Sequence, residues 1–194
     1  MILEGKYDKN RFKAVFLAGT PASGKTEFYD FALKHKDMKH LDADKVMMFL
    51  IKKYGGDAKD TESYTKFQKD VRAKLDMMNK MYTKGGLGLV IDGTGKDINL
   101  IKKLKAQLEK YGYETAMIFI KTPLVKAIEK SKKRDRAVDV DYIKDTYKQL
   151  GKNIPQYKNM FSPFIEVNTK EEYREAEKKI DRWLKKWIHY SQEF

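Results

Sequence analysis

The chain has 194 residues, no cysteine and a formal net charge of +13 at pH 7. This length predicts one domain covering residues 1–194, and a hydrophobic share of 41% is enough for a buried core. The lack of cysteine excludes a disulfide partner, a zinc–thiolate centre and cysteine catalysis, and three histidines do not favour a multi-histidine metal site. No apolar run reaches the roughly 18 residues of a membrane helix, and the N-terminus shows no signal peptide. We therefore expect a cytoplasmic protein with no membrane partner.

The first predicted element is a continuous apolar strand at 14–18, and a phosphate-binding loop follows it directly. The loop fits the pattern G-x-x-x-x-G-K-[ST], with the residues Gly19, Thr20, Pro21, Ala22, Ser23, Gly24, Lys25 and Thr26. Glycines let the backbone approach phosphates, and N–H groups at the start of a helix cradle them. Lys25 would then face the β and γ phosphates, and the Thr26 hydroxyl would ligate Mg²⁺. The loop predicts ATP and Mg²⁺ as cofactors.

Acidic residues follow the next two predicted strands. A weak strand ends at His40-Leu41-Asp42 and is followed by Asp44, and a strand at 87–91 is followed by Asp92 and Thr94. Because open α/β sheets bind ligands at the carboxyl ends of their strands, these side chains are site candidates. One carboxylate, Asp92 in our assignment, would help to hold Mg²⁺, and another would accept the proton of an attacking hydroxyl. Asp42 and Thr94 are candidate substrate contacts, and each aspartate is equally suited to cap a helix.

Two further features bear on the region before and after the 87–91 strand. A helical pattern containing Phe67 and Val71 predicts a small helical lobe at 57–84. The run Asp92-Gly93-Thr94-Gly95 also fits the D-x-x-G motif of GTPases, but the sequence has no downstream N-K-x-D motif to read guanine. ATP is therefore favoured over GTP.

The second half of the chain continues the alternation of strands and helices. Strands are predicted at 116–120 and 163–167, and Thr122-Pro123 predicts a helix start with Thr122 as the capping hydroxyl. Arg134 and Arg136 are two of only six arginines in the chain, and they predict a small cationic lid that screens charge on the transferred phosphoryl group. An amphipathic helix at 171–190 is expected to dock on the core. The pattern predicts an α/β fold with a five-stranded, mostly parallel sheet and helices on both faces.

Several of these segments resemble the kinase half of bacteriophage polynucleotide kinase and, more loosely, the zeta-toxin kinases. The resemblance is carried by the runs Val90-Ile91-Asp92-Gly93-Thr94, Tyr111-Gly112-Tyr113-Glu114 and Lys133-Arg134 with Ala137-Val138-Asp139-Val140-Asp141, and it extends loosely over 13–168. It implies a P-loop kinase fold, with Asp44 as the catalytic base beside Asp42, and Arg134 as the lid arginine. Where that family has a substrate-holding arginine four residues after the base, this chain has Met48.

The sequence leaves the acceptor and the oligomeric state open. Residues 102–136 contain eleven basic and four acidic residues, which favours nucleic acid as the partner that supplies the hydroxyl. The same excess is equally typical of a solvated lysine-rich surface. The resemblance also allows a hydroxyl on a modified DNA base, or a zeta-toxin-like reaction on a sugar nucleotide. A third reading is an ATP-gated binding module that transfers no phosphate.

Overall fold

A computed structural model describes residues 9–57, 61–134, 138–168 and 170–188. Its strands are β1 (Lys13–Ala18), β2 (Lys39–Leu41), β3 (Leu89–Asp92), β4 (Glu114–Ile120) and β5 (Phe164–Val167). Its helices are α1 (Lys25–Phe28), α2 (Ala43–Tyr54), α3 (Thr61–Lys84), α4 (Ile98–Lys110), α5 (Leu124–Lys132), α6 (Val140–Met160) and α7 (Tyr173–Ile188). Across the described residues, no helix is both long and apolar enough to cross a membrane.

The five strands form one sheet in the order β2-β3-β1-β4-β5, and all four pairings are parallel. The predicted five-stranded sheet is therefore confirmed. Strand β1 lies at the centre, between β3 and β4. The chain continues from β1 to β2 and β3 on one side and then crosses to β4 and β5 on the other, so the strand order reverses at the carboxyl end of β1. Open α/β sheets bind their ligands at such a point.

Helices cover both faces of the sheet, which explains the continuous apolar runs of its strands. On one face, Val15 and Leu17 of β1 pack with α1, β4 and α7. On the other face, Phe16 packs with α4 and α6, through residues such as Leu108 and Tyr157. Successive β1 side chains thus alternate between two buried layers, as the strand period of two requires.

The predicted lobe 57–84 corresponds to α3 in its described part, and residues 58–60 lie outside the described residues. Helices α2 and α3 share a separate apolar cluster that includes Leu50 and Phe67. In the predicted C-terminal helix 171–190, the described part begins as a short 3₁₀ turn at Lys170–Glu172 and continues as α7. The division into one domain with these two parts stays a prediction.

Candidate functional site: a phosphate loop beside an acidic sheet edge

The phosphate loop connects β1 to α1, and two of its positions require glycine. A Cβ at Gly19 would lie 2.6 Å from the carbonyl oxygen of Ile120, which is closer than any real contact. Gly24 has φ +103° and caps α1 through its backbone. Ala22 also has positive φ, at 60°, which costs a non-glycine residue about 1–2 kcal/mol. The backbone of the loop therefore curves tightly, and a side chain at Gly19 or Gly24 would clash or add strain.

Lys25 is the cation of this loop. Its Nζ donates hydrogen bonds to the carbonyl oxygens of Gly19 and Thr20, at 3.0 and 3.1 Å. Burial lowers the pKa of Lys25, while the negative charges of Asp92, Asp44 and Asp42 oppose that shift. The ammonium is thus oriented into the loop with three carboxylates in electrostatic range.

Two buried hydroxyls of the loop indicate a ligand with many oxygen atoms. Thr20 Oγ1 and Ser23 Oγ are buried, and neither has a hydrogen-bond partner within the described ranges. An unpaired buried hydroxyl costs about 1–3 kcal/mol, and at a phosphate-binding loop a bound ligand can supply the missing partner. Thr26 lies at the start of α1 and is an exposed residue. These residues fit a triphosphate with its Mg²⁺.

Two residues that are distant in sequence donate hydrogen bonds to backbone carbonyl groups of the loop. Thr122 Oγ1 donates a hydrogen bond to the carbonyl oxygen of Ser23 at 2.8 Å, and Tyr173 of α7 donates one to the carbonyl of Gly24 at 3.4 Å. The prediction that Thr122 caps α5 was wrong, because the cap position is Pro123 and no side chain bonds there. The hydroxyl instead stabilises the phosphate loop, 99 residues away.

Asp42 and Asp44 lie at the carboxyl end of β2, where α2 begins, and their environments differ. Asp42 is the N-cap of α2, since its Oδ1 accepts hydrogen bonds from the backbone N–H groups of Asp44 and Lys45 at 2.8 and 3.2 Å. Burial, and then the charge of Asp92, raises the pKa of the Asp42 carboxyl. Asp44 is exposed in the first turn of the helix. Asp44 is therefore the more accessible carboxylate of the two.

His40 of β2 lies beside these carboxylates, and the sequence analysis did not select it as a site residue. Its Nε2 lies 3.5 Å from Asp92 Oδ2 and 3.9 Å from Asp42 Oδ2, and its ring stacks on Tyr29 with the centroids 3.8 Å apart. The signal was present in the sequence, because His40 precedes Asp42 by two residues. In a strand, residues two apart lie on the same face.

Thr94 connects the acidic edge to the phosphate loop through its backbone. Its carbonyl oxygen accepts a hydrogen bond from the N–H of Gly19 at 3.2 Å, while its hydroxyl accepts one from the N–H of Lys96 at 3.2 Å. Tyr157 of α6 donates to the carbonyl of Gly95 at 2.6 Å and secures the same turn. The contact of Thr94 with a substrate stays a prediction.

Arg134 follows α5 and is exposed. Its positive charge contributes to the lowered pKa of Lys25, which places the guanidinium in electrostatic range of the phosphate loop. Ser131, which is buried, accepts a hydrogen bond from the N–H of Val138 at 2.9 Å and so joins the two ends of the predicted lid. Arg136, the second predicted lid cation, lies outside the described residues.

Comparison with protein families decides where this chain belongs. The profile of the family described as Zeta toxin matches residues 2–186, which is nearly the whole chain. This chain belongs to the Zeta toxin family. No curated protein matches this Zeta toxin family member significantly. A relation to bacteriophage polynucleotide kinase in particular stays a prediction.

Solved structures similar to this Zeta toxin family member share its fold. Shikimate kinase from Acinetobacter baumannii matches with a TM-score of 0.57 and 13% identity, over 93% of this chain and 96% of its own. A structure of the PezAT toxin–antitoxin system of Streptococcus pneumoniae matches with a TM-score of 0.55 and 20% identity, over 77% of this chain and 63% of its own. A Pnkp1/Rnl/Hen1 RNA repair complex matches with a TM-score of 0.56 and 15% identity, over 76% and 46%. The predicted P-loop kinase fold is confirmed.

Proposed function

We propose that this protein is an ATP-dependent kinase that transfers the γ-phosphate of ATP to a hydroxyl group. The observation that supports this most directly is the electrostatic environment of Lys25. Its pKa responds to Asp92, Arg134, Asp44 and Asp42, which come from three separate segments of the chain: the start of α2, the end of β3 and the residues after α5. A phosphate loop, carboxylates and a second cation therefore lie at the carboxyl ends of neighbouring strands, and phosphoryl transfer needs these groups for positioning and charge stabilisation.

The residues of the site have separate proposed roles in binding phosphate, stabilising charge and holding Mg²⁺. Lys25 and the loop N–H groups bind the phosphates, and Arg134, with Arg136 two residues further along the chain, stabilises negative charge on the transferred group. Thr26 and Asp92 would hold Mg²⁺, because hydroxyl and carboxylate oxygens are the ligands that it prefers. When bound, Mg²⁺ neutralises charge on the phosphate oxygens.

Asp44 is the proposed base. The acceptor oxygen forms a bond to the γ-phosphorus, the bond from that phosphorus to the bridging oxygen breaks, and ADP leaves with the electron pair. The acceptor proton passes to the carboxylate of Asp44, which is exposed and lies in electrostatic range of Lys25. Asp42 fits this role less well, because its Oδ1 already accepts two backbone hydrogen bonds.

For the acceptor we propose a hydroxyl on nucleic acid. The net charge of +13 and the basic excess over 102–136 favour a polyanion, and one structural neighbour belongs to an RNA repair complex. Three lysines of α4 are candidate contacts: Lys102, Lys103 and Lys105. Lys102 donates to Gln156 at 3.0 Å and Lys105 pairs with Glu109, while Lys103 is exposed.

The second candidate is a sugar nucleotide. The Zeta toxin profile covers almost the whole chain, and the position of the substrate-holding arginine in polynucleotide kinases is here Met48, which is half exposed. A small acceptor of this kind carries few phosphates. Its binding would therefore depend only weakly on salt, in contrast to a polynucleotide.

One experiment separates these acceptors. The protein is incubated with γ-labelled ATP and a panel of oligonucleotides, nucleosides and sugar nucleotides, and the labelled product is identified. A labelled oligonucleotide supports our proposal, and a labelled sugar nucleotide replaces it with the second candidate. Slow ATP hydrolysis with no labelled acceptor would indicate an ATP-gated binding module instead.

A variant with the three α4 lysines changed to Gln tests the nucleic-acid contact. We expect a higher Michaelis constant for the oligonucleotide and a flatter salt dependence, with ATP affinity unchanged. The matched control changes three exposed lysines of α7, on the opposite face of the sheet: Lys178, Lys179 and Lys185. Equal effects of the two triple variants would show that only net charge matters.

A further inference from the structure

Three side chains at the ends of β2 and β3 bring metal-binding atoms together. One ligand atom each from His40, Asp42 and Asp92 lies within 4.8 Å of the others. The separations from His40 Nε2 are 3.5 Å to Asp92 Oδ2 and 3.9 Å to Asp42 Oδ2. These are too long for good hydrogen bonds. They are close to the roughly 3.4 Å that separates ligands placed tetrahedrally at about 2.1 Å from one ion.

His40 supplies an independent indication of a ligand. Its side chain is only 8% exposed, and its Nε2 is buried with no hydrogen-bond partner among the residues that the structure describes. The stack on Tyr29 fixes the ring so that this nitrogen faces the two carboxylates. A buried polar atom in such a position is expected to have a partner.

The charges point to the same kind of ligand. One ligand oxygen of Asp42 and one of Asp92 lie within 4.8 Å of each other, so the two carboxylates repel each other when both are charged. A cation between them would remove the repulsion and satisfy Nε2 in one step.

We propose that His40, Asp42 and Asp92 form a binding site for a divalent transition-metal ion, such as Mn²⁺ or Co²⁺, in the nucleotide-free protein. The imidazole ligand determines this class, because imidazole suits transition metals while Mg²⁺ prefers oxygen ligands only. The site shares Asp92 with the proposed Mg²⁺ position, but its occupancy requires neither ATP nor an acceptor. This metal site can therefore be tested independently of kinase activity.

Lys45 determines which ring nitrogen of His40 carries the proton. Its Nζ lies 3.0 Å from His40 Nδ1, and an ammonium can only donate, so Nδ1 accepts and the imidazole proton sits on Nε2. A metal bound at Nε2 takes the place of that proton, which moves to Nδ1. The exposed Lys45 side chain must then turn away. A metal-bound imidazole is instead best supported by an acceptor at Nδ1.

The first test measures metal binding to the nucleotide-free protein. Free Mn²⁺ is followed by electron paramagnetic resonance, and bound Co²⁺ by its visible absorption. We expect one site that binds Mn²⁺ and Co²⁺ more tightly than Mg²⁺. His40→Gln should weaken Mn²⁺ binding by about tenfold or more. His40→Phe keeps a ring against Tyr29 without a ligand atom and should behave in the same way.

The control is His35→Gln, because His35 is exposed and pairs with Glu177 away from the acidic edge. It should bind Mn²⁺ as the parent does. Circular dichroism melting confirms that each variant folds. The proposal is overturned if the parent prefers Mg²⁺, or if a folded His40 variant keeps the parent affinity for Mn²⁺.

The second test compares two substitutions of Lys45. Both Lys45→Gln and Lys45→Met remove the charge, but only Gln offers an oxygen to the N–H at Nδ1. Lys45→Gln should therefore bind Mn²⁺ and Co²⁺ more tightly than Lys45→Met, and both more tightly than the parent. If Lys45→Gln binds no more tightly than Lys45→Met, Nε2 is not the ligand and the proposal fails.

Discussion

The hydrogen bond from Thr122 to the phosphate loop leads to a prediction with a built-in control. Thr122→Val replaces the hydroxyl by a methyl group of similar size, so the change removes the bond to the Ser23 carbonyl and little packing. Both groups are buried, and a lost bond of this kind costs about 1–3 kcal/mol. For a chain of this length, each 1 kcal/mol lowers the melting temperature by about 2–4 °C, so we expect a fall of about 2–12 °C.

Part of this loss should appear in ATP binding, because the carbonyl belongs to the loop that holds the phosphates. If 1 kcal/mol of loop ordering must be supplied by the nucleotide, the Michaelis constant for ATP rises about fivefold. Turnover at saturating ATP should stay near the parent value. The assays are thermal unfolding followed by circular dichroism, and a titration of ATP at fixed acceptor concentration.

Thr146→Val is the matched control. Thr146 of α6 is fully buried, and its hydroxyl has no hydrogen-bond partner among the described residues. Because a buried hydroxyl without a bond is itself unfavourable, the same substitution here should leave stability unchanged or raise it by about 1 kcal/mol. Our account of Thr122 is refuted if both variants melt at the parent temperature, or if Thr146→Val is the less stable of the two.

Three further predictions concern the charged residues of the site. Lys25→Ala should abolish phosphoryl transfer in the γ-labelled ATP assay, and a parent rate would contradict the loop assignment. Asp44→Asn should cut turnover by roughly two to four orders of magnitude with ATP binding nearly intact, and Asp42→Asn by less; the reverse ranking would assign the base to Asp42. Asp42→Asn, measured without divalent cations, should stabilise the fold at pH 7, because burial and Asp92 raise the pKa of Asp42 and its charged form is disfavoured in the fold. That gain should vanish as the pH falls below about 4, where the carboxyl is protonated in both states; a gain that persists there would have another cause.

The phosphate loop and the strands could be predicted from the sequence because their signals are local. Eight consecutive residues, Gly19 to Thr26, carry the loop, and the observed β1 extends the predicted strand 14–18 by one residue. Strands buried on both faces appear as continuous apolar runs, whatever their neighbours in the sheet. The candidate carboxylates were also found in this way, because they directly follow such runs.

The roles of individual polar groups required the tertiary structure. The strand order places β2 beside β3, and only this pairing brings His40 against Asp92, 52 residues later in the chain. The sequence around Thr122 is equally compatible with a helix cap, and the approach of the phosphate loop gives its hydroxyl a different acceptor. A hydroxyl or an imidazole bonds to whatever group packing brings within about 3 Å. Local sequence therefore determined where the chain can bind phosphate, and the packing of the sheet decided which side chains surround that phosphate.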